Sequence, residues 1–196
     1  RDVFIPLDWV IGGRDRCGDG WRMLMNCLAA GRSISLPGSS TAGLKVCART
    51  TGAYARVREQ FNLPIGKFEG VQEAIARIVE NTYLVDSARY VTAGALDAGE
   101  EPAVLSAVLK YESTERMRQS INDAMDVHGG RAICDGPANY LMSSYTAAPV
   151  AITVEGANIL TRTLITFGQG AMRCHPWLLS EIAAANDPDD SRALVA

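Results

Sequence analysis

Residues 101–130 have the sequence EPAVLSAVLKYESTERMRQSINDAMDVHGG, in which apolar side chains recur at the spacing of one helix face. Pro102 suits the first turn of a helix, where its missing N–H costs nothing, and Gly129 with Gly130 suits the end of one. The predicted inward face consists of Val104, Leu105, Val108, Met117, Ile121 and Met125. This stretch therefore predicts one long amphipathic helix.

The same spacing of apolar residues continues on both sides of this helix. It predicts one long helix or two over residues 21–61, with a kink or break at Pro37 because proline removes a backbone hydrogen bond. A second long helix is predicted over residues 70–98. A further helix is predicted over residues 159–167, and a short last one begins near Pro176.

Two stretches favour extended backbone instead. Residues 3–11 are rich in β-branched and aromatic side chains and predict one short strand. Residues 137–154 are predicted to be irregular or extended, because Val150, Ile152 and Val154 alternate with other residues. The long helices dominate, so we predict an all-α fold, an up-and-down four-helix bundle with a short N-terminal β segment.

The overall composition excludes several classes of function. The chain has 196 residues, of which 47% are hydrophobic and 21% charged, with a formal net charge of -3. Such a balance gives no field that attracts nucleic acid, so no nucleic-acid partner is expected. Five widely spaced cysteines without a CxxC pair indicate neither a disulfide framework nor a structural zinc site, and no metal is predicted.

The stretch with the most chemical information is residues 153–158, TVEGAN. Glu155 follows an apolar run, and a carboxylate that is shielded from water is a better general base for a weakly acidic C–H group. Gly156 has no Cβ and lets a substrate approach the backbone. Alternatively, Glu155 stabilises the N-terminus of the helix that follows. From the residues alone, a catalytic base and a helix-stabilising charge are equally supported interpretations of Glu155.

Four stretches, in order along the chain, resemble the C-terminal part of the acyl-CoA dehydrogenases. They are residues 1–20, then Arg58-Glu59-Gln60-Phe61 with Pro64, Ile65 and Phe68, then Gly129-Gly130, and finally Glu155-Gly156. Residues 152–177, ITVEGANILTRTLITFGQGAMRCHPW, are most similar to the large bacterial long-chain type used in fatty-acid β-oxidation. The resemblance covers nearly the whole chain.

The resemblance implies a division of the chain. Residues 1–19 correspond to the end of a preceding β-domain and a connector, residues 20–185 to the helical bundle, and residues 186–196 to a polar tail. By itself this piece is expected to bind FAD weakly and to turn nothing over.

The resemblance also implies the reaction. Glu155 would remove the α-proton of a fatty acyl-CoA thioester while the β-hydrogen leaves as hydride to N5 of FAD, which gives a trans-2-enoyl-CoA. Gly156 would lie against the substrate. In some relatives the base instead precedes an arginine of the first long helix, but here Gly31 precedes Arg32.

Five further residues would contact FAD. Arg58 would neutralise the pyrophosphate of the FAD bound by a neighbouring subunit, and Phe61 would pack against its adenine end. Gly129 and Gly130 would let that cofactor approach the backbone, with Asp126 where many relatives have Gln. We expect Arg58 and Phe61, three residues apart, to share one helix face.

The chain departs from the family pattern at several positions. Asn62, Glu69 and Ala157 replace the glycine, glutamine and threonine of the motifs, and Val154 replaces an aromatic residue before the base. These changes affect the expected FAD contacts more than the base.

The resemblance finally implies partners and a location. The partners are the acyl-CoA substrate, an electron-transfer flavoprotein as electron acceptor, and a second copy in a homodimer or larger homo-oligomer. The location is cytoplasmic, with peripheral association with the inner membrane as an option. Two alternatives stay open: an acyl-CoA oxidase-like enzyme that uses oxygen, and a non-enzymatic helical interaction module.

Overall fold

A computed structural model describes residues 1–100 and 102–186 of the chain. Within these residues the structure is almost entirely helical. The helices are α1 (Gly20–Val57), α2 (Glu69–Asp97), α3 (Ala103–His128), α4 (Gly130–Ile133), α5 (Met142–Thr153), α6 (Asn158–Leu160), a π-helical segment (Thr161–Gln169), α7 (Gly170–Cys174) and α8 (Leu178–Ala185). Two strands, β1 (Glu59–Gln60) and β2 (Leu63–Pro64), form a small antiparallel hairpin.

The three long helices α1, α2 and α3 pack against one another, and α5 and the π-helical segment pack against α3. Short connections between long helices favour this bundle arrangement. The prediction of an all-α fold is confirmed. None of the described helices is long and apolar enough to cross a membrane.

The core lies where α1, α2 and α3 meet. Leu44 of α1, Ile78 of α2 and Ile121 of α3 are almost completely buried in one cluster. Gly43 sits beside this cluster, and a Cβ there would lie 3.0 Å from the Sδ of Met117, so the small residue permits the close approach of α1 and α3. This core fixes α3 against α1, which positions the residues described below.

Helix α1 runs through Pro37, so of the kink or break expected there the break does not occur. Proline inside a helix costs about 3 kcal/mol, because it removes one hydrogen bond and crowds the preceding turn. Pro37 is itself fully buried. Packing of α1 in the bundle offsets that cost, which local sequence cannot show.

The predicted N-terminal strand is absent from the described residues. Residues 3–11 contain only a 3-10 turn, Leu7–Trp9, and Val3 and Phe4 are exposed. A strand needs a neighbour to pair its backbone groups, and the two described strands pair only with each other. The β segment of the predicted fold is therefore wrong for the structure described.

The prediction for residues 137–154 is also wrong, because helix α5 occupies Met142–Thr153. The signal overlooked is Asn139, whose Oδ1 accepts hydrogen bonds from the backbone N–H groups of Leu141 (3.0 Å) and Met142 (2.9 Å). A side-chain oxygen that satisfies free N–H groups favours the start of a helix. The helix predicted over residues 159–167 forms, as α6 followed by the π-helical segment.

Candidate active site

Glu155 and Gly156 form the turn between α5 and α6. Both have positive φ angles, 55° and 90°. Glu155 is half-buried, and its Oε2 is buried without a hydrogen-bond partner among the described residues. A non-glycine residue in the left-handed region costs roughly 1–2 kcal/mol, so other contacts must hold this conformation.

Arg32 of α1 is the first of these contacts. Its side chain is 2% exposed, and its Nε donates a 3.0 Å hydrogen bond to the backbone carbonyl of Glu155. The Nη2 of the same guanidinium is buried and has no hydrogen-bond partner within the part of the chain that the structure describes. Burial lowers the pKa of Arg32, while the negative charge of Glu155 acts in the opposite direction. A buried cation with a free donor therefore lies beside the backbone of the proposed base.

Lys110 of α3 is the second contact. It is fully buried, and its Nζ donates to the carbonyls of Ile152 (3.2 Å) and Gly156 (2.9 Å) and to Oδ1 of Asn158 (2.5 Å). Burial lowers its pKa to about 8, as does the charge of Arg32, while Glu155 and Glu115 oppose that shift. This ammonium thus holds both sides of the Glu155 turn.

Asn158 and Thr161 complete the support of the turn. Asn158 Nδ2 donates to Thr114 Oγ1 (3.0 Å) and to Glu115 Oε1 (2.9 Å), which leaves its Oδ1 for Lys110. Thr161 Oγ1 donates to the Gly156 carbonyl (2.9 Å). A Cβ at Gly156 would lie 3.1 Å from the Thr161 Oγ1, so both the space and the backbone angle favour glycine here.

A second region lies at the C-terminal end of α1. An open pocket of about 770 Å³ is bordered by Arg58, the residue that caps α1, and by Arg131 of α4. Tyr54 and Tyr140 provide aromatic surface. Two guanidinium groups on one pocket suit an anionic group such as a diphosphate, since arginine forms strong, directional bonds to phosphate oxygens.

The aromatic wall of this pocket is anchored by His128. The His128 ring stacks on Tyr54 with ring centroids 4.3 Å apart. Its Nδ1 lies 2.7 Å from the Ala124 carbonyl, so Nδ1 carries a proton and Nε2 of the neutral ring accepts the Tyr140 O–H at 2.6 Å. Burial lowers the pKa of His128, and Arg131 acts in the same direction.

Arg58 and Phe61 do not share a helix face, so that prediction is wrong. Helix α1 ends at Val57, Arg58 is extended, and Phe61 lies with Asn62 in the turn of the β1–β2 hairpin. Both turn residues have positive φ angles, 54° and 63°, as a tight hairpin requires. Asparagine is the non-glycine residue that tolerates this conformation best, which accounts for Asn62 in place of the family's glycine.

Phe61 is one of the exposed site residues. Its side chain is 88% exposed and touches Phe68 edge-to-face, with ring centroids 6.2 Å apart. Phe61 does not border the Arg58 pocket. An exposed aromatic ring on a two-residue turn is available to stack against a flat group from outside the chain.

Asp126, Gly129 and Gly130 lie together where α3 ends and α4 begins. All three are exposed, and Gly129 has a φ of 59°. A Cβ at either glycine would meet nothing within 4 Å, so the backbone there is open to a ligand. None of the three borders the Arg58 pocket, although Arg131 directly follows Gly130.

The structure therefore presents two sets of site residues. Glu155 and Gly156 lie at one, with Arg32 and Lys110, while Arg58 belongs to the other, with Arg131. Sequence reasoning missed Arg32, Lys110 and Arg131. The first two are single charged residues inside long helices, where a charge ordinarily indicates a solvated face. Among the described residues, no group of three or more His, Cys, Asp or Glu side chains is placed to hold a metal ion.

Comparison with known proteins gives a family match. Residues 18–168 match the model of the acyl-CoA dehydrogenase C-terminal domain, which is well over half of the 196 residues. The predicted cofactor is FAD, and one structural neighbour, PigA, is an FAD complex that shares the fold with a TM-score of 0.71 at 23% identity over 78% of this chain and 39% of that one.

Three known proteins are similar to parts of this chain. The chain is 57% identical over 53 residues to Protein HemX of Proteus mirabilis, which covers 27% of this chain and 31% of that protein. It is 28% identical over 168 residues to the mitochondrial isobutyryl-CoA dehydrogenase of Dictyostelium discoideum, which covers 85% of this chain and 39% of the relative. Butyryl-CoA dehydrogenase from Megasphaera elsdenii shares the fold, with a TM-score of 0.71 at 20% identity over 78% of this chain and 39% of that one.

The chain thus spans about two fifths or less of the length of these relatives. The two acyl-CoA dehydrogenases among them carry the names of different acyl groups. The isobutyryl-CoA dehydrogenase supports the family, the butyryl-CoA dehydrogenase shows the fold, and neither tests the predicted long-chain bacterial type.

Proposed function

Because the chain belongs to the acyl-CoA dehydrogenase family, as its C-terminal domain, we propose that it supplies the catalytic base and part of the FAD site of an acyl-CoA dehydrogenase. The proposed reaction converts a fatty acyl-CoA to a trans-2-enoyl-CoA. Glu155 takes the α-proton. The observation that carries the proposal is the buried, unpartnered Oε2 of Glu155 in a turn held by two buried cations.

The chemistry of the turn suits proton abstraction. A thioester α-proton is weakly acidic, so its removal needs a base whose oxygen is not already committed to a hydrogen bond. The Oε2 of Glu155 meets that requirement. Arg32, whose Nη2 has no hydrogen-bond partner among the described residues, adds positive charge beside the turn, which favours the enolate-like transition state.

The other set of residues fits FAD. Arg58 and Arg131 provide two permanent positive charges for the pyrophosphate, the exposed Phe61 ring is free to stack on the adenine, and the Gly129 and Gly130 backbone is open. In the proposed enzyme these groups hold the FAD of a neighbouring subunit, with Asp126 at its edge. When bound, FAD supplies the hydride acceptor.

The finer assignments extend this proposal. We place the substrate among the long-chain fatty acyl-CoAs of β-oxidation because residues 152–177 resemble the bacterial long-chain type. The proposed electron acceptor is an electron-transfer flavoprotein, the proposed assembly is a homodimer or larger homo-oligomer, and the proposed location is the cytoplasm.

One experiment tests the proposal. The FAD-loaded protein that contains this chain is incubated without oxygen with acyl-CoAs of increasing chain length and an electron-transfer flavoprotein. We expect trans-2-enoyl-CoA to form fastest from long-chain acyl-CoAs. Its formation should be lost in Glu155→Gln but not in Glu80→Gln, a matched change at an exposed position of α2.

Three outcomes contradict parts of the proposal. Peroxide release in air at the rate of product formation points to an oxidase. A preference for short chains removes the long-chain assignment only. A protein without flavin absorbance that is indifferent to acyl-CoA is not this enzyme, and the non-enzymatic helical module then stands.

A further inference from the structure

Lys110 is a charged residue that sequence patterning places on a long amphipathic helix, yet none of its surface reaches solvent. Its ammonium group has three N–H donors, and it has three acceptors within 3.2 Å: the Ile152 and Gly156 carbonyls and the Asn158 Oδ1. Every donor is therefore used. These acceptors lie three residues before, one residue after and three residues after Glu155.

The chain segment that Lys110 binds needs such support. Glu155 and Gly156 have left-handed backbone angles, which for a glutamate are strained. Strained backbone persists only where its surroundings over-determine it. Lys110 ties the end of α5, the turn itself and the first residue of α6 to one atom of α3.

Other hydrogen bonds orient the Asn158 side chain for its contact with Lys110. Thr114 Oγ1 and Glu115 Oε1, both on α3, accept the two N–H groups of the Asn158 amide. This fixes the amide so that its oxygen faces Lys110. Two successive turns of α3 thus present a lysine, a threonine and a glutamate to the segment that carries Glu155.

We propose that Lys110 is a positioning residue, whose ammonium holds the backbone on both sides of Glu155 so that the carboxylate meets the substrate α-hydrogen. This inference rests on the proposed function of Glu155 as the base. Lys110 neither accepts the proton nor touches the reacting atoms. Its effect falls on the rate of α-proton removal and not on the affinity for acyl-CoA.

The protonation state of Lys110 matters to this role, since a neutral amine has two N–H groups and cannot donate to three acceptors. The charged groups that face it are Arg32 from α1, Glu155 from the turn and Glu115 from α3 itself. Their combined effect with burial brings the pKa of Lys110 to about 8. The hold on the turn is therefore complete well below pH 8 and weakens as the pH rises through about 8.

The test separates proton removal from oxidation. An acyl-CoA with sulfur in place of the β-carbon can lose its α-hydrogen but cannot give up a β-hydride. Exchange of that α-hydrogen in D₂O, followed by mass spectrometry, reports on the base alone. The FAD-loaded protein is compared with Lys110→Met, Lys110→Gln, Lys45→Met and Glu155→Gln. Lys45→Met is the matched control, because Lys45 pairs with Asp86 at 2.7 Å and is half exposed.

We expect Lys110→Met to retain flavin absorbance, to bind the analogue within about threefold of the unchanged protein, and to exchange the α-hydrogen about 100-fold more slowly, the size of effect that misplacement by about 1 Å produces. Lys110→Gln keeps two N–H donors, so its rate of α-hydrogen exchange should lie between that of Lys110→Met and that of the unchanged protein. Lys45→Met should behave as the unchanged protein.

Exchange in Lys110→Met at the unchanged rate overturns the proposal for Lys110, provided that Glu155→Gln has lost exchange. Exchange that persists in Glu155→Gln overturns the proposed base itself. If Lys110→Met does not fold, the unchanged protein still decides: exchange that slows as pH rises above about 8 supports the proposal, and a flat rate overturns it.

Discussion

The Nε of Arg32 donates a 3.0 Å hydrogen bond to the backbone carbonyl of Glu155, 123 residues further along the chain. This bond ties α1 to the turn between α5 and α6, while Lys110 ties the same turn to α3. Two buried cations from two helices therefore hold one strained glutamate. The bundle fold matters for function because it brings these helices to that turn.

The turn should be sensitive to any side chain at Gly156. Gly156→Ala forces a Cβ into a backbone with φ of 90° and to within 3.1 Å of the Thr161 Oγ1. We expect the free energy of unfolding to fall by about 1–2 kcal/mol, the usual cost of left-handed backbone for a residue with a Cβ. Urea denaturation measures this change.

Gly52→Ala is the control for that prediction, since Gly52 lies within α1 and a Cβ there meets nothing within 4 Å. Alanine in a helix is favoured over glycine, so this variant should be about 0.5–1 kcal/mol more stable. Equal effects of the two changes would contradict the assigned role of the Gly156 backbone.

The paired arginines should determine FAD affinity. Arg58→Gln and Arg131→Gln each remove a charge from the pocket at the end of α1, and we expect each to raise the Kd for FAD at least about tenfold, because hydrogen bonds to charged groups contribute about 1.5–3 kcal/mol. Titration of the apoprotein with FAD, followed by fluorescence, measures the affinity. Arg56→Gln, exposed and outside the pocket, should leave the Kd unchanged.

His128 should make the fold sensitive to acid. Its pKa is lowered in the folded state, so the unfolded state binds the proton more tightly. The stabilising contribution is therefore complete above about pH 6.5, the ordinary value, and is lost as the pH falls through the folded-state pKa. Unfolding free energies from about pH 7.5 to about pH 5 should decrease in the unchanged protein and in His175→Gln, and decrease less in His128→Gln. Identical slopes in all three proteins would show that His128 is not the group responsible.

Much of the fold could be predicted from local signals. Pro102 and the glycine pair after His128 mark the ends of α3, and the structure places that helix at Ala103–His128. Helix α5 was missed because Val150, Ile152 and Val154 happen to alternate, and the capping oxygen of Asn139 was not recognised. Whether Pro37 breaks a helix depends on packing from other elements, which no local pattern contains.

In the candidate site too, local sequence indicates some of the residues, while others are revealed only by tertiary contacts. The sequence points to Glu155 and Gly156 because a carboxylate after an apolar run followed by glycine is unusual, and their role stays a prediction. Arg32 and Lys110 could not be found, since a lone cation in a long helix is ordinarily solvated, and only tertiary contacts show that these two are buried. The expected helix face shared by Arg58 and Phe61 fails because α1 ends at Val57, one residue before that motif begins.

The central claim is that Glu155 removes the α-proton, and single-turnover reduction of the bound flavin tests it most directly. FAD-loaded protein is mixed with a long-chain acyl-CoA without oxygen, and the loss of flavin colour is followed in a stopped-flow instrument. We predict rapid bleaching in the unchanged protein and in Glu80→Gln, and a rate lower by about 10²–10⁴-fold in Glu155→Gln, the usual contribution of a general base. Bleaching of Glu155→Gln at the unchanged rate would contradict the account.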